Sequence, residues 1–254
     1  HMILAPQHWH ERFIKQANWT RPLRQYFFTQ AKSSDFRNVL EVGCGSGAIL
    51  SDITNYTNAK IYGLDINEHY LTMAMRNIPR AMLVHADAHQ LPFQGSLFDT
   101  CICHFLLLWV HNPDTVVSEM VRVTRPGGYV CALAEPDYGA RIDFPEELMS
   151  LGQDQLQALL KQGANPCLGR QLRSLFADKG LVNVVAGVMG GQWQMPFDQE
   201  EWKSEWEVLE SDLEINIETN PTYQAYKLRD YQAWTSGERI LYVPTFFAWG
   251  MVPD

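Results

Sequence analysis

Val39-Leu40-Glu41-Val42-Gly43-Cys44-Gly45-Ser46-Gly47 decides how the rest of this chain is read. A short apolar run carries one acid, three glycines then alternate with small residues, and a helical pattern starts at Ala48. That order predicts a strand, a tight turn and a helix N-terminus. Glycine at alternate positions lets the backbone turn sharply and lets a ligand rest directly on the main chain.

Outward from this stretch the pattern repeats. Ile61 to Asp65, Ala81 to His85, Phe98 to Cys103 and Tyr129 to Ala134 read as further strands, with helical segments between most of them. Asn67 is placed to cap one helix, and Asn112-Pro113-Asp114 opens another that Pro126-Gly127-Gly128 is expected to stop. Strands spaced by helices imply an α/β, doubly wound, mostly parallel sheet covered on both faces. Ahead of it, residues 3–34 read as two helices broken near Trp19-Thr20-Arg21-Pro22, either packed on the core or forming a lid over a ligand. Behind it, helices are expected over Glu146 to Lys161, Gln171 to Lys179, an acidic stretch from Asp198 to Glu218, and Tyr223 to Trp234. Leu181 to Met189 and Ile240 to Ala248 read as strands. No clean boundary divides the chain, so 3–254 is taken as one domain: an N-terminal helical lid (3–34), a cofactor-binding core (36–134) and an acceptor-side, sheet-completing region (135–254). His1-Met2 reads as a remnant of tag removal.

The 254 residues carry a net charge of −9, and the segment from Asp198 to Glu218 holds nine acids against one lysine. Such a balance argues against phosphate-neutralising contacts with nucleic acid. No apolar run approaches the ~20 residues of a membrane span. The five cysteines (Cys44, Cys101, Cys103, Cys131, Cys167) are odd in number and lie mostly in expected strands. Free thiols in a reducing, cytoplasmic setting fit that better than disulfides, and no ligand spacing points to a metal.

The chemistry gathers at the carboxyl ends of the strands, where open parallel sheets bind ligands. Asp65 ends the second strand and can accept hydrogen bonds from both hydroxyls of a ribose. Asp87, after the third strand, is placed to accept from an adenine amino group. A nucleoside-bearing cofactor follows. The first motif is Glu41-x-Gly43-x-Gly45-x-Gly47, not the G-x-G-x-x-G of a dinucleotide site. A carboxylate ahead of the glycines suits an ammonium or sulfonium better than a pyrophosphate, which favours S-adenosylmethionine.

In these features the chain resembles the class I, Rossmann-like, S-adenosylmethionine-dependent methyltransferases of small-molecule type. The resemblance covers residues 36–134. It rests on the glycine motif, Gly63-Leu64-Asp65, Asp87-Ala88 with Leu91-Pro92-Phe93, Phe98-Asp99, and Arg122-Val123-Thr124-Arg125-Pro126-Gly127-Gly128. It implies a seven-stranded sheet whose last strand is antiparallel, for which Ile240 to Ala248 is the candidate, with a helical insertion before that strand. It implies that Glu41, Gly43, Cys44, Gly45 and Gly47 surround the methionine portion, that Asp65 and Ile66 take the ribose side, and that Asp87 and Ala88 flank adenine. Cys103 and His104 would lie near the sulfur, His104 serving as a base or as a cofactor contact. Asp99 and His111 read as structural.

Acceptor-side candidates are Trp19, Glu135, Asp137, Tyr138, Arg141 and Trp193. Trp202 and Trp206, at helical spacing, are either core or acceptor cover. The tetrapeptide expected of base- and glutamine-methylating enzymes is absent; Cys103-His104-Phe105-Leu106 stands there instead. The expected function is methyl transfer to an oxygen, nitrogen or carbon of a small-molecule acceptor, aromatic compounds and natural products being candidates, by a monomer or homodimer. The alternatives are an NAD(P)-dependent oxidoreductase and a non-catalytic cofactor-binding scaffold.

Overall fold

The computed structural model describes residues 6–193 and 196–254; His1-Met2 and the first residues of the expected lid lie outside them. Seven strands form one sheet: β1 (Asn38–Val42), β2 (Lys60–Asp65), β3 (Met82–His85), β4 (Phe98–Cys103), β5 (Thr124–Pro136), β7 (Val182–Met189) and β9 (Thr245–Met251), in the order β3-β2-β1-β4-β5-β9-β7. The first five pair in parallel, and β9 runs antiparallel to both β5 and β7. The chain leaves β1 to one side for β2 and β3, then returns on its other side to β4. The strand order therefore reverses at β1, and the crevice beyond its carboxyl end is where such sheets take ligands.

Side-chain parity sorts the strands onto two cores. Leu40, Val42, Cys101, Cys103, Val130 and Ala132 face α4 (Pro113–Val123) and α6 (Leu172–Asp178). Val39, Ile102, Cys131 and Leu133 face α1 (Pro6–Gln30), α2 (Ala48–Ile53) and α3 (Glu68–Asn77). Two-residue alternation puts Glu41 on the second face, beneath α1. A third cluster, around Leu148, Leu151, Trp206, Leu209 and Ile217, lies among α5 (Met149–Lys161), α7 (Gln199–Leu213) and the turn that follows α7.

The expected break at Pro22 is absent: α1 is one helix with Pro22 inside it. Pro22 sits on the exposed side, while Ala17, Thr20, Leu23, Arg24, Phe27 and Phe28 form a continuous buried stripe. Burial of that stripe holds the helix together against the ~3 kcal/mol an interior proline costs. Thr20 caps nothing; its hydroxyl donates back to the Gln16 carbonyl at 2.8 Å.

Three other expectations shift. Pro126-Gly127-Gly128 lies within β5, not at the end of α4, which stops at Val123. Ile240 to Ala248 is two strands, because Pro244 interrupts the run. The first, β8 (Ile240–Tyr242), pairs with β6 (Ile142–Phe144), and only β9 joins the main sheet. Asn220-Pro221 begins α8 (Pro221–Ser236) two residues earlier than expected, Asn220 accepting at the Tyr223 amide. Asp99 is structural: its carboxylate accepts from the Arg37 and Asn38 amides (2.7 and 2.8 Å) and from Arg125 (2.7 Å).

Candidate functional site

The loop after β1 turns on left-handed glycines, Gly43 at φ +74° and Gly45 at +49°, a region costly for any side chain. The Gly43 and Cys44 amides both donate to the Leu64 carbonyl (2.7 and 2.9 Å), tying the loop to the end of β2. Gly63 makes that contact possible. A Cβ there would stand 2.6 Å from Leu50 Cδ1 and 2.9 Å from Cys44 Sγ. Asp65 closes the arrangement: one oxygen accepts from the Gly45 amide at 2.7 Å and the other from Asn67 at 2.8 Å. Ile66 beside it is 68% exposed, a bare apolar face at the mouth of the crevice.

Glu41 lies under this loop, 1% exposed, and its Oε2 has no hydrogen-bond partner among the described residues. Burial pushes its carboxyl up to about 8; the Arg24 guanidinium opposes the rise and Asp65 adds to it. A desolvated acid at this point holds its proton until a cation arrives. Burial and the carboxylates of Glu41 and Asp65 also raise the Cys44 thiol far out of the range of a thiolate. At the third strand, Asp87 is 52% exposed on its side chain, and His89 caps it through the backbone amide (2.8 Å) and Nδ1 (2.6 Å). The His89 ring stacks on His111 at 3.8 Å. Ala88 next to them is buried.

The N-terminal helix covers the crevice. His10 Nδ1 meets the Ser46 hydroxyl at 2.6 Å, Phe13 lies 3.4 Å from where a Cβ on Gly45 would be, and its ring meets Tyr70 edge-on. One helical turn and more beyond, Thr20 Oγ1 reaches His104 Nε2 at 2.9 Å.

Residues 40–132 match a protein family described as a methyltransferase domain. An uncharacterized methyltransferase of Schizosaccharomyces pombe is 29% identical over 60% of this chain and 59% of its own length. A fatty-acid O-methyltransferase of Mycolicibacterium smegmatis is 31% identical over 66% of this chain and 63% of its own. The chain thus spans about six tenths of the length of these two relatives. Among solved structures, a Haemonchus contortus phosphoethanolamine N-methyltransferase, in complex with phosphomonomethylethanolamine and S-adenosylhomocysteine, has the same fold. Its TM-score is 0.54 at 15% identity, covering 86% of this chain and 49% of that one. Residues 40–132 thus match a methyltransferase domain.

On the acceptor edge of the methyltransferase domain, several expected residues are already committed. Glu135 is fully buried and its carboxylate accepts from the amides of Leu106, Leu107 and Leu108 (3.0, 2.8 and 3.2 Å), bracing the segment after β4. Burial still lifts it to about 7, with those three amides pulling the other way. Asp137 is paired with Arg170, and Arg141 with Asp143 and Gln155. These three side chains serve the protein interior, not an open pocket. Trp19 is exposed on α1, and Trp193 donates to the Leu241 carbonyl at 3.1 Å. Trp202 and Trp206 both donate to Asp230 (2.7 and 2.8 Å), which places them in the insertion's core.

Tyr138 remains on that edge. Burial raises its hydroxyl's proton affinity, as do the carboxylates of Asp212 and Glu205, against the guanidiniums of Arg12 and Arg141. Cys103 ends β4 and His104 follows it beside the loop, and both are buried. Burial, with Arg24's charge, holds the imidazole down at about 3. His104 is therefore neutral at any ordinary pH and a weak base.

Sequence reasoning missed the cover's polar underside. Arg24 is fully buried, with Nε on Asp52 (2.6 Å), Nη1 on Thr20 (2.6 Å) and Nη2 on the Ala17 carbonyl. The available signal was a charge at position 24 on the apolar stripe of 17, 20, 23, 27 and 28. His10, Phe13 and Arg12, which pairs with Glu205 of α7, had no local signal.

Proposed function

We propose that this protein moves the methyl group of S-adenosylmethionine to a small-molecule acceptor by direct displacement at carbon. The observation that carries the reading is Glu41: a buried carboxyl with an unpartnered oxygen, directly beneath a left-handed glycine loop and one strand from Asp65. That donor set fits the cofactor. Glu41 would face its cationic end, Gly43 and Gly45 would let the methionine portion lie on the backbone, and Asp65 would take the ribose through its remaining lone pairs. Ile66 and Ala88 would line the adenine side, with Asp87 as its polar partner. A pyrophosphate would gain no counter-charge from Glu41, whose ionisation only a cation favours, which weighs against a nicotinamide dinucleotide.

The cofactor, when bound, supplies a methyl group already activated by positive sulfur. The residues of this chain then have to orient, desolvate and exclude water, and correct placement alone is worth several kcal/mol of barrier. Phe13 and His10 close the loop side. Tyr138 and His104 border the side from which an acceptor would approach. The relatives named for fatty-acid oxygen and phosphoethanolamine nitrogen support a small-molecule acceptor, as does the acidic charge. We read the lid as part of the same domain. Five free cysteines, four of them buried, favour a reducing, cytoplasmic setting; among the described residues no helix is long and apolar enough to cross a membrane.

Titration calorimetry with S-adenosylmethionine and with NAD is the deciding test. Binding of the first without the second is expected; tight binding of NAD alone would reverse the assignment. Release of S-adenosylhomocysteine with fatty acids, phenols and amines then reports the acceptor, and no release with any of them would favour the scaffold reading.

A further inference from the structure

Thr20 Oγ1 stands at a junction of four contacts: the Gln16 carbonyl at 2.8 Å, the more distant Ala17 carbonyl at 3.4 Å, Arg24 Nη1 at 2.6 Å and His104 Nε2 at 2.9 Å. A hydroxyl has one proton and two lone pairs. The carbonyls can only accept, so the nearer one takes the proton. The guanidinium can only donate, so it fills one lone pair. The last lone pair is left for His104, whose Nε2 must then carry the hydrogen. The opposite tautomer would set the bare Nε2 lone pair against a Thr20 oxygen whose proton is already committed, a contact between two acceptors.

We infer that Thr20 and Arg24 are positioning residues of the N-terminal helix, which hold His104 as its neutral Nε2–H tautomer and leave the Nδ1 lone pair to receive a hydrogen bond from an O–H or N–H methyl acceptor. The second half of this rests on the methyltransferase reading; the tautomer does not. Asp52 anchors the arrangement. It binds Arg24 Nε at 2.6 Å, and Arg21 and the Tyr56 hydroxyl also bind it, so Arg24 cannot turn away from Thr20. The charged group acting on the imidazole is Arg24 from α1; Phe105 packs edge-on at 4.8 Å from its own strand end. Burial, with the cation beside the ring, keeps it from charging, and the hydroxyl keeps it from rotating. A histidine so held orients an acceptor and does not retain its proton. The class of acceptor it serves is therefore protic and already nucleophilic when neutral or readily ionised, such as an enol, a phenol or an amine.

Nitrogen-15 spectra of the imidazoles, recorded on the protein without cofactor or acceptor, test the tautomer directly. His104 is expected to give one protonated and one unprotonated nitrogen, with the proton on Nε2, unchanged between about pH 5 and pH 8. Thr20→Val removes the hydroxyl and is expected to bring the two nitrogens toward averaged positions, while Thr20→Ser restores the fixed pattern. A wild-type spectrum with the proton on Nδ1, or a titration inside that range, would overturn the inference whether or not the valine variant folds. A spectrum unaltered in folded Thr20→Val would overturn the part given to Thr20. Failure to bind S-adenosylmethionine would fall on the methyltransferase reading instead.

Discussion

Glu41→Gln separates a cofactor-sensing acid from an ordinary buried one. In the free protein the Glu41 carboxyl is held up at about 8 by burial, with Arg24 opposing and Asp65 reinforcing, so at pH 7 about nine tenths of molecules carry its proton. A sulfonium or ammonium placed against the unpartnered Oε2 favours the carboxylate. Binding at pH 7 should therefore expel about 0.9 proton from this group, falling to about half a proton at pH 8. The sign follows from a pKa that is high when free and low when bound: affinity strengthens as pH rises toward 8. From pH 6 to pH 8 the gain is about fifty-fold, or about 2.3 kcal/mol.

Calorimetry in buffers of different ionisation enthalpy measures the proton count. The ligand's own α-amino group also titrates near 7.7–8.0, but it does so with either protein. The difference between wild type and Glu41→Gln therefore isolates Glu41. Equal proton release by the two proteins at pH 7 would refute the reasoning. The free proteins supply an independent check. Folded Glu41 keeps a proton that the unfolded chain loses above about 4.5, so wild type loses stability from there up to about pH 8 and is level beyond it. Glu41→Gln should escape that loss, about 1.4 kcal/mol per pH unit, in denaturant unfolding series across this range.

Asp65→Ala should weaken S-adenosylmethionine by about 1.5–3 kcal/mol, the worth of a charge-assisted hydrogen bond, and lower Tm as well, since the Gly45 and Asn67 amides lose their acceptor; unchanged affinity by calorimetry would end the ribose assignment. Gly63→Ala should cost about 1–3 kcal/mol by overpacking against Leu50, Leu83 and Cys44, read from chemical denaturation, and a neutral result would mean the loop and β2 are looser than their contacts indicate. Asp52→Ala leaves the fully buried Arg24 without its counter-charge, a loss of about 3–5 kcal/mol; a Tm within about 2 °C of wild type would count against a structural role for the pair.

What could be read from the sequence was what the chain settles within a few residues. The glycine loop, the Asn67 and Asn112 caps and the strand from Phe98 to Cys103 are each set by neighbours along the chain, and each stands where it was expected. The errors share a cause. Pro22 looked like a break because its exposure, and the buried stripe around it, depend on the sheet beneath. Ile240 to Ala248 looked like one strand because β6 and β5, its separate partners, lie about a hundred residues earlier; Pro244 was the signal, read too lightly. Glu135 and Asp137 stand at the strand expected to border an acceptor, yet their partners (three amides, Arg170) come from elsewhere and consume them, while Arg141 is taken by Asp143 two residues on and by Gln155.

The two halves of the crevice are thus built on different scales. Glu41, the glycines and Asp65 fall within 25 residues and need only one strand–turn–helix–strand unit to meet. The half proposed for the acceptor draws Arg12 and Thr20 from α1, His104 from just after β4, Tyr138 from beyond β5, and Glu205 and Asp212 from α7. Its charges answer one another across the fold: Arg12 pairs with Glu205, while burial raises Asp212 to about 6 although Gln155 and Arg12 pull it down. Arg12 Nε, buried and without a partner among the described residues, is left over from that pairing. A change at any one of these positions alters the field at Tyr138 from outside the cofactor unit. The glycine unit is local and the far side is assembled from α1 and α7, although α1 also reaches the loop through His10 and Phe13. For the same reason the glycine motif names the methyl donor and is silent about the acceptor.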